Sequence, residues 1–112
     1  MTKDVMLFLR HALLCVRRIR DYTASHTEST FLADQMAQDA VIRNLEVIGQ
    51  CIKDHGLDPL QALNPDIRWR TIAAFRNVLA HEYMGVKPSL VWQVVVNELP
   101  ALENALEKIL AE

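Results

Sequence analysis

The sequence is short of chain breakers: only three glycines and four prolines stand among its 112 residues. That excludes an all-β domain built on many tight turns and favours long helices. Cysteine is scarce too, with Cys15 and Cys51 at apolar helical positions and no CxxC or Cys/His spacing around them. A disulfide framework and a cysteine metal site are thereby excluded, and the two are expected as reduced core thiols of a cytoplasmic protein. No apolar run approaches the roughly 18 residues of a membrane span, and the arginines of the first segment are foreign to a secretory leader. Membrane and export are therefore not expected. Net charge is small as well, at −2, but residues 1–87 hold eleven Lys/Arg against ten Asp/Glu while the remainder hold one against four. The acidic surplus belongs to the last helix.

What is abundant is apolar residues at helical spacing. They make up 51% of the chain, enough for one small domain over residues 1–112 that buries roughly two thirds of its unfolded surface. Val5, Leu9, Ala12, Val16 and Ile19 mark a first helix over residues 3–22. Its outer face carries Arg10, His11, Arg17, Arg18 and Arg20, either solvated or able to attract phosphate. Residues 23–30 are polar and aperiodic, and read as a loop.

A second helix runs over residues 29–54, with a restart at Asp34, whose carboxylate can cap the amides that follow. Its core face is Val41, Ile42, Leu45, Ile48, Gly49 and Ile52; Asp39, Arg43, Glu46, Gln50 and Lys53 form a polar stripe on another face. Pairs at that spacing stabilise a helix by only about 0.2–0.5 kcal/mol each, so stability alone is a thin motive for the stripe. After His55-Gly56, Asp58-Pro59 reads as an N-cap followed by Pro at the first position of a short helical turn. A further helix spans residues 67–84, with Trp69, Ile72, Phe75 and Leu79 as its core stripe and Gly85 as its C-cap. Pro88 opens the last helical region, which Pro100 either kinks or divides.

The chemistry is concentrated in Arg76-Asn77-Val78-Leu79-Ala80-His81-Glu82-Tyr83. Cleavage of RNA by its own 2′-hydroxyl needs a proton acceptor, a proton donor and a cation for the phosphoryl oxygens. His81 can exchange protons near neutral pH, and Arg76 offers a planar fork for two oxygens. Asn77 can orient His81 or donate to an oxygen, and Tyr83 can bind phosphate or stack on a base. Five residues along an ideal helix place His81 about 140° around from Arg76, so one phosphate is reached by both only if the side chains curl or if two helices face each other across a dimer. The competing reading pairs Arg76 with Glu46 or Asp39 and leaves His81 as a helix-terminal histidine near the negative end of the dipole.

The same residues resemble the HepT-like toxins of the HEPN superfamily, whose signature R-x-x-x-x-H-x-Y is matched by Arg76, His81 and Tyr83. The segment from Asp39 to Gly49 resembles the family's second-helix block, and Ile67-Arg68-Trp69-Arg70, Gly85-Val86, Val91-Trp92 and Leu99-Pro100 follow its C-terminal half in order. The resemblance implies an all-α, HEPN-type bundle of four to five helices that forms a homodimer, with the motif helices lining a cleft. It implies an endoribonuclease with Arg76 and His81 as the catalytic pair; from the residues themselves, the cleavage is expected to need no metal or cofactor and to be supported by Asn77, Asp39, Arg43 and Glu46. It also implies a nucleotidyltransferase antitoxin as partner, which transfers AMP onto Tyr83. Gln50 stands where the family commonly has Glu, so the task of holding Arg76 falls to Asp39 and Glu46. Arg68 stands in a place often filled by Pro before Trp69.

Overall fold

A computed structural model describes residues 4–81 and 85–111. Within them lie seven helical segments and no strand. Five are long: α1 (Met6–Thr23), α3 (Gln35–His55), α5 (Trp69–His81), α6 (Pro88–Asn97) and α7 (Leu99–Ala111). Two are short, α2 (Glu28–Leu32) and α4 (Leu57–Leu63). The all-α bundle expected from the sequence is what forms.

Helix α3 is the central element, packed against α1 on one side and α5 on another, while α7 closes over α1 and α6 over α2 and α7. The amphipathic spacing explains this arrangement: Leu9, Ala12, Val16 and Ile19 of α1 meet Val41, Leu45, Ile48 and Ile52 of α3 in one buried cluster with Leu102 and Leu106 of α7. Trp69, fully buried at the start of α5, donates its indole N–H to the Asn64 carbonyl at 2.9 Å. The largest core side chain is therefore polar-satisfied as well as packed.

The ends of the helices show where local chemistry was legible and where it was not. Asp34 caps α3 as expected, its carboxylate accepting from the Ala37 amide at 3.0 Å. The expected loop over residues 23–30 instead contains the start of α2. Thr27 and Thr30 form a reciprocal capping box there, Thr30 filling the place usually held by Glu or Gln. Buried Gln38 then donates to the carbonyls of Phe31 and Leu32 at 3.0 and 3.1 Å, fixing the joint between α2 and α3. The expected Asp58 cap is also corrected: Gly56, at φ 107°, ends α3 and begins α4, so Asp58 and Pro59 sit inside the first turn. Only glycine holds that backbone without strain, which makes Gly56 the residue that sets both boundaries.

Pro88 occupies the first turn of α6, as read. Pro100 divides the region: α6 ends at Asn97, and α7 begins at Leu99 with Pro100 in its first turn, where no amide donor is required. The end of the Arg76 helix beyond His81 falls outside the described residues, and so does Tyr83; the Gly85 cap is left without a described helix end to close.

Candidate functional site

Arg76 is placed by the crossing of α5 over α3. At Gly49 the two helices approach so closely that a Cβ there would lie 2.6 Å from the Arg76 Cβ and 3.1 Å from the Ile72 carbonyl oxygen. The absent side chain lets Arg76 lie against α3, half-buried, rather than extend into solvent. A cavity of about 170 Å³ opens beside it, lined by Arg43, Glu46, Val47, Gln50, Cys51 and Arg76. A second cavity, of about 530 Å³, shares Arg43 and Glu46 with the first and extends along α3 past Asp39 toward Val86 and Pro88. The polar stripe of α3 thus forms one wall of a groove in which Arg76 stands at one end.

The ion pairs expected to hold Arg76 are not there. Its guanidinium donates to the Oδ1 of Asn77 at 3.1 Å, and among the described residues no carboxylate pairs with it. Glu46 instead faces Arg43 at 4.0 Å, a loose contact one turn along the same helix. Asp39 accepts from Gln35 at 2.8 Å, and Gln50 donates to Asp54 at 2.9 Å. The carboxylates of α3 are engaged with α3 itself, so the positive charge of Arg76 is not neutralised by them.

His81 lies elsewhere. It is exposed in the last described turn of α5 and lines neither of these cavities, as the ideal 140° separation from Arg76 requires. Within one chain the structure brings together Arg76, Asn77, Arg43 and Glu46, with Asp39 adjacent, and leaves His81 on another face. Bordering His81 on that face is Val78, part of an apolar groove of about 400 Å³ between α5, α6 and α7. Ile72, Phe75, Leu90 and Val94 line the groove, and the Arg68–Glu98 ion pair, at 2.6 Å, stands at its rim. Arg68 therefore ties the start of α5 to the joint between α6 and α7.

Cys51 is a wall residue of the Arg76 cavity that the sequence presented only as core. Burial pushes its thiol up to about 11 from an ordinary 9.0, with neighbouring Cys15 and Asp54 adding to the rise. Cys15 is raised as well, by burial, against the pull of Arg18. Both are buried free thiols, and a thiol so rarely ionised is a poor nucleophile.

The basic face of α1 is largely spoken for. Glu103 of α7 pairs with Arg17 at 3.6 Å and Arg20 at 2.5 Å, Glu107 pairs with Arg17 at 3.3 Å, and Arg10 faces Asp4 at 3.7 Å. The acidic surplus of the last helix is matched to Arg17 and Arg20 of the first, so those two are tied to carboxylates rather than free for phosphate. No described helix is long and apolar enough to cross a membrane.

Comparison with known proteins gives the chain a family. The family described as "Ribonuclease HepT-like" matches residues 12–109. The chain is 38% identical over its whole length to "Gamma-glutamylcyclotransferase and putative RNase MJ0434" of Methanocaldococcus jannaschii, of which it spans 50%. It is 36% identical over 98% of its length to "Putative RNase MJ0127" of the same organism, covering 90% of that protein. It is 34% identical over 91% of its length to "Probable ribonuclease HepT" of Thermococcus cleftensis, covering 92% of it. No solved structure matches the chain significantly.

Proposed function

The chain belongs to the HepT-like ribonuclease family, and on that premise we propose that it is the toxin of a toxin–antitoxin pair, a metal-independent endoribonuclease switched off by transfer of AMP to Tyr83. The observation that carries this reading is the state of Arg76: a half-buried guanidinium, fixed by the α3 crossing, whose only described partner is a neutral amide. A structural arginine in that position would be matched by Asp39 or Glu46. One left uncompensated beside a groove is suited to a phosphate.

In the proposed reaction an internal 2′-hydroxyl of RNA attacks the adjacent phosphorus. Its proton passes to a base, the bond from phosphorus to the 5′-oxygen breaks, and the departing oxygen takes up a proton. The products are a 2′,3′-cyclic phosphate and a 5′-hydroxyl. His81 serves the proton transfers and Arg76 the charge on the phosphoryl oxygens, with Asn77 orienting Arg76. Arg43 and Glu46 shape the groove, with Asp39 at its far side.

Because Arg76 and His81 occupy different faces of α5, the working site is composite, with Arg76 from one protomer and His81 from its partner in a homodimer. The apolar groove beside Val78 supports a second copy packing next to His81, since its exposed aliphatic wall gains from being covered. The antitoxin is a nucleotidyltransferase; AMP on Tyr83 brings negative charge that competes with RNA for Arg76.

The same separation of Arg76 from His81 favours a second reading, a non-catalytic helical dimer that holds a nucleotidyltransferase or a nucleotide. RNA cleavage in EDTA separates the two. Cleavage lost in Arg76→Ala and in His81→Ala is expected, and full activity in either variant would overturn the assignment. Co-expression with the partner and mass measurement of the Tyr83 peptide test the switch: added AMP units are expected, and an unmodified peptide from an inactive complex would overturn it.

A further inference from the structure

Over its described residues, Trp69–His81, helix α5 carries Arg70, Arg76 and His81 and no carboxylate. Arg76 is turned toward α3, but Arg70, Asn77 and His81 fall within about 40° of one another around the helix, and all three are exposed. Ala74, small and also exposed, lies about 40° from Arg70 at the edge of the apolar groove, so no bulky side chain interrupts the stripe. Arg68 and Arg70, two residues apart, have opposite fates. Arg68 is tied to Glu98 at 2.6 Å, whereas Arg70 has no ion pair or hydrogen bond among the described residues, Asp66 one turn earlier included. Of the arginines on α1, α3 and the start of α5, most face a carboxylate: Arg10, Arg17, Arg20, Arg43 and Arg68 all do. A guanidinium with no partner among the described residues, on a helical stretch that carries no acid from Trp69 to His81 and aligned with the proposed proton-transfer group, is an anion contact waiting for its anion.

We propose that Arg70 is a positioning residue for the RNA strand, binding a backbone phosphate along the exposed stripe of α5, several nucleotides from the bond cut at His81. This rests on the ribonuclease reading. Eleven residues of helix separate the two positions by about 16 Å along the axis, too far for one phosphate and suited to a strand laid lengthwise. Arg70 touches no reacting atom; it holds the strand in register so that the scissile phosphate meets His81 and Arg76.

The test is kinetic, on the full-length protein. On a long single-stranded RNA, Arg70→Gln is expected to raise KM about tenfold with kcat little changed, and Arg70→Lys to recover most of the loss. On a dinucleotide, too short to reach Arg70, KM should not rise with it. The dependence of log affinity on log salt should flatten by about one in Arg70→Gln. Lys108→Gln, which removes an exposed charge on α7, should do neither. A fall in kcat, a KM effect of equal size on the dinucleotide, or an equal effect of Lys108→Gln overturns the proposal. If the wild-type chain cuts no RNA, the ribonuclease reading fails by itself, and Arg70 is judged by binding of the long RNA. Weaker binding by Arg70→Gln than by Lys108→Gln then supports the phosphate contact, and equal binding overturns it.

Discussion

Gly49 and Arg76 are locked together: a single added methyl on Gly49 would stand 2.6 Å from the Cβ of Arg76, inside any tolerable contact. A glycine inside an ordinary exposed helix is improved by alanine, by about 1 kcal/mol. Here the sign should reverse. Gly49→Ala is expected to destabilise the fold by about 1–3 kcal/mol, as overpacking does, and to lower RNA cleavage through the displaced Arg76. Denaturant unfolding and cleavage rate, measured on the same variant, check both; a stabilised, fully active protein would refute the crossing as described.

The composite site makes a distinctive prediction for mixed dimers. Arg76→Ala and His81→Ala should each be inactive alone. Unfolded together and refolded as an equal mixture, they should regain about a quarter of wild-type activity, because half the dimers are mixed and each contains one intact site of two. A mixture as dead as its components places both residues in one chain's site.

The ion pairs between α1 and α7 conceal a cationic face. Glu103, with its side chain 13% exposed, is the acid shared by Arg17 and Arg20. Glu103→Gln keeps the shape and frees both guanidiniums. Non-specific affinity for single-stranded RNA should rise at low salt, with a salt dependence steeper by about one to two. The cost in stability should be about 1 kcal/mol or less, since both arginines are substantially solvated. Fluorescence anisotropy across a salt series measures the first, and thermal unfolding the second.

Burial of Cys51 ties stability to alkaline pH. Its folded value, about 11, lies above the ordinary 9.0 expected when unfolded. The unfolded chain therefore releases the thiol proton first as pH rises. The contribution is fully present below pH 9.0, declines between there and about 11, and amounts to about 2–3 kcal/mol when lost. Cys51→Ala should flatten the fall in stability between pH 8 and pH 10.5 relative to wild type; unchanged pH dependence in the variant would contradict the burial effect.

Much of the fold was legible because helix periodicity is a local property. Val41, Leu45, Ile48 and Ile52 are buried where their spacing put them, and Asp34 and Pro88 mark helix starts by chemistry that acts within three or four residues. The helix read from residue 29 with a restart at Asp34 is α2 followed by α3, and its start at Glu28 was placed late because the cap is Thr27 with Thr30, lacking the Glu or Gln that makes such boxes conspicuous. Gly56 was read as the end of a helix, but its second task, beginning α4, depends on a backbone angle no composition reveals.

The candidate site divides along the same line. Which side chains α5 carries, and that Arg76 and His81 face apart, follow from residue order alone, because 100° per residue is fixed by the helix. Residue order could not decide where the charges go. Arg20 meets Glu103 and Arg17 meets Glu107 across 83 and 90 residues of chain, and Glu46 turns to Arg43 rather than to Arg76. Those choices follow from how the helices are docked, with Gly49 setting the approach of α5 to α3. Only that packing left Arg76 beside an open groove with no carboxylate partner among the described residues.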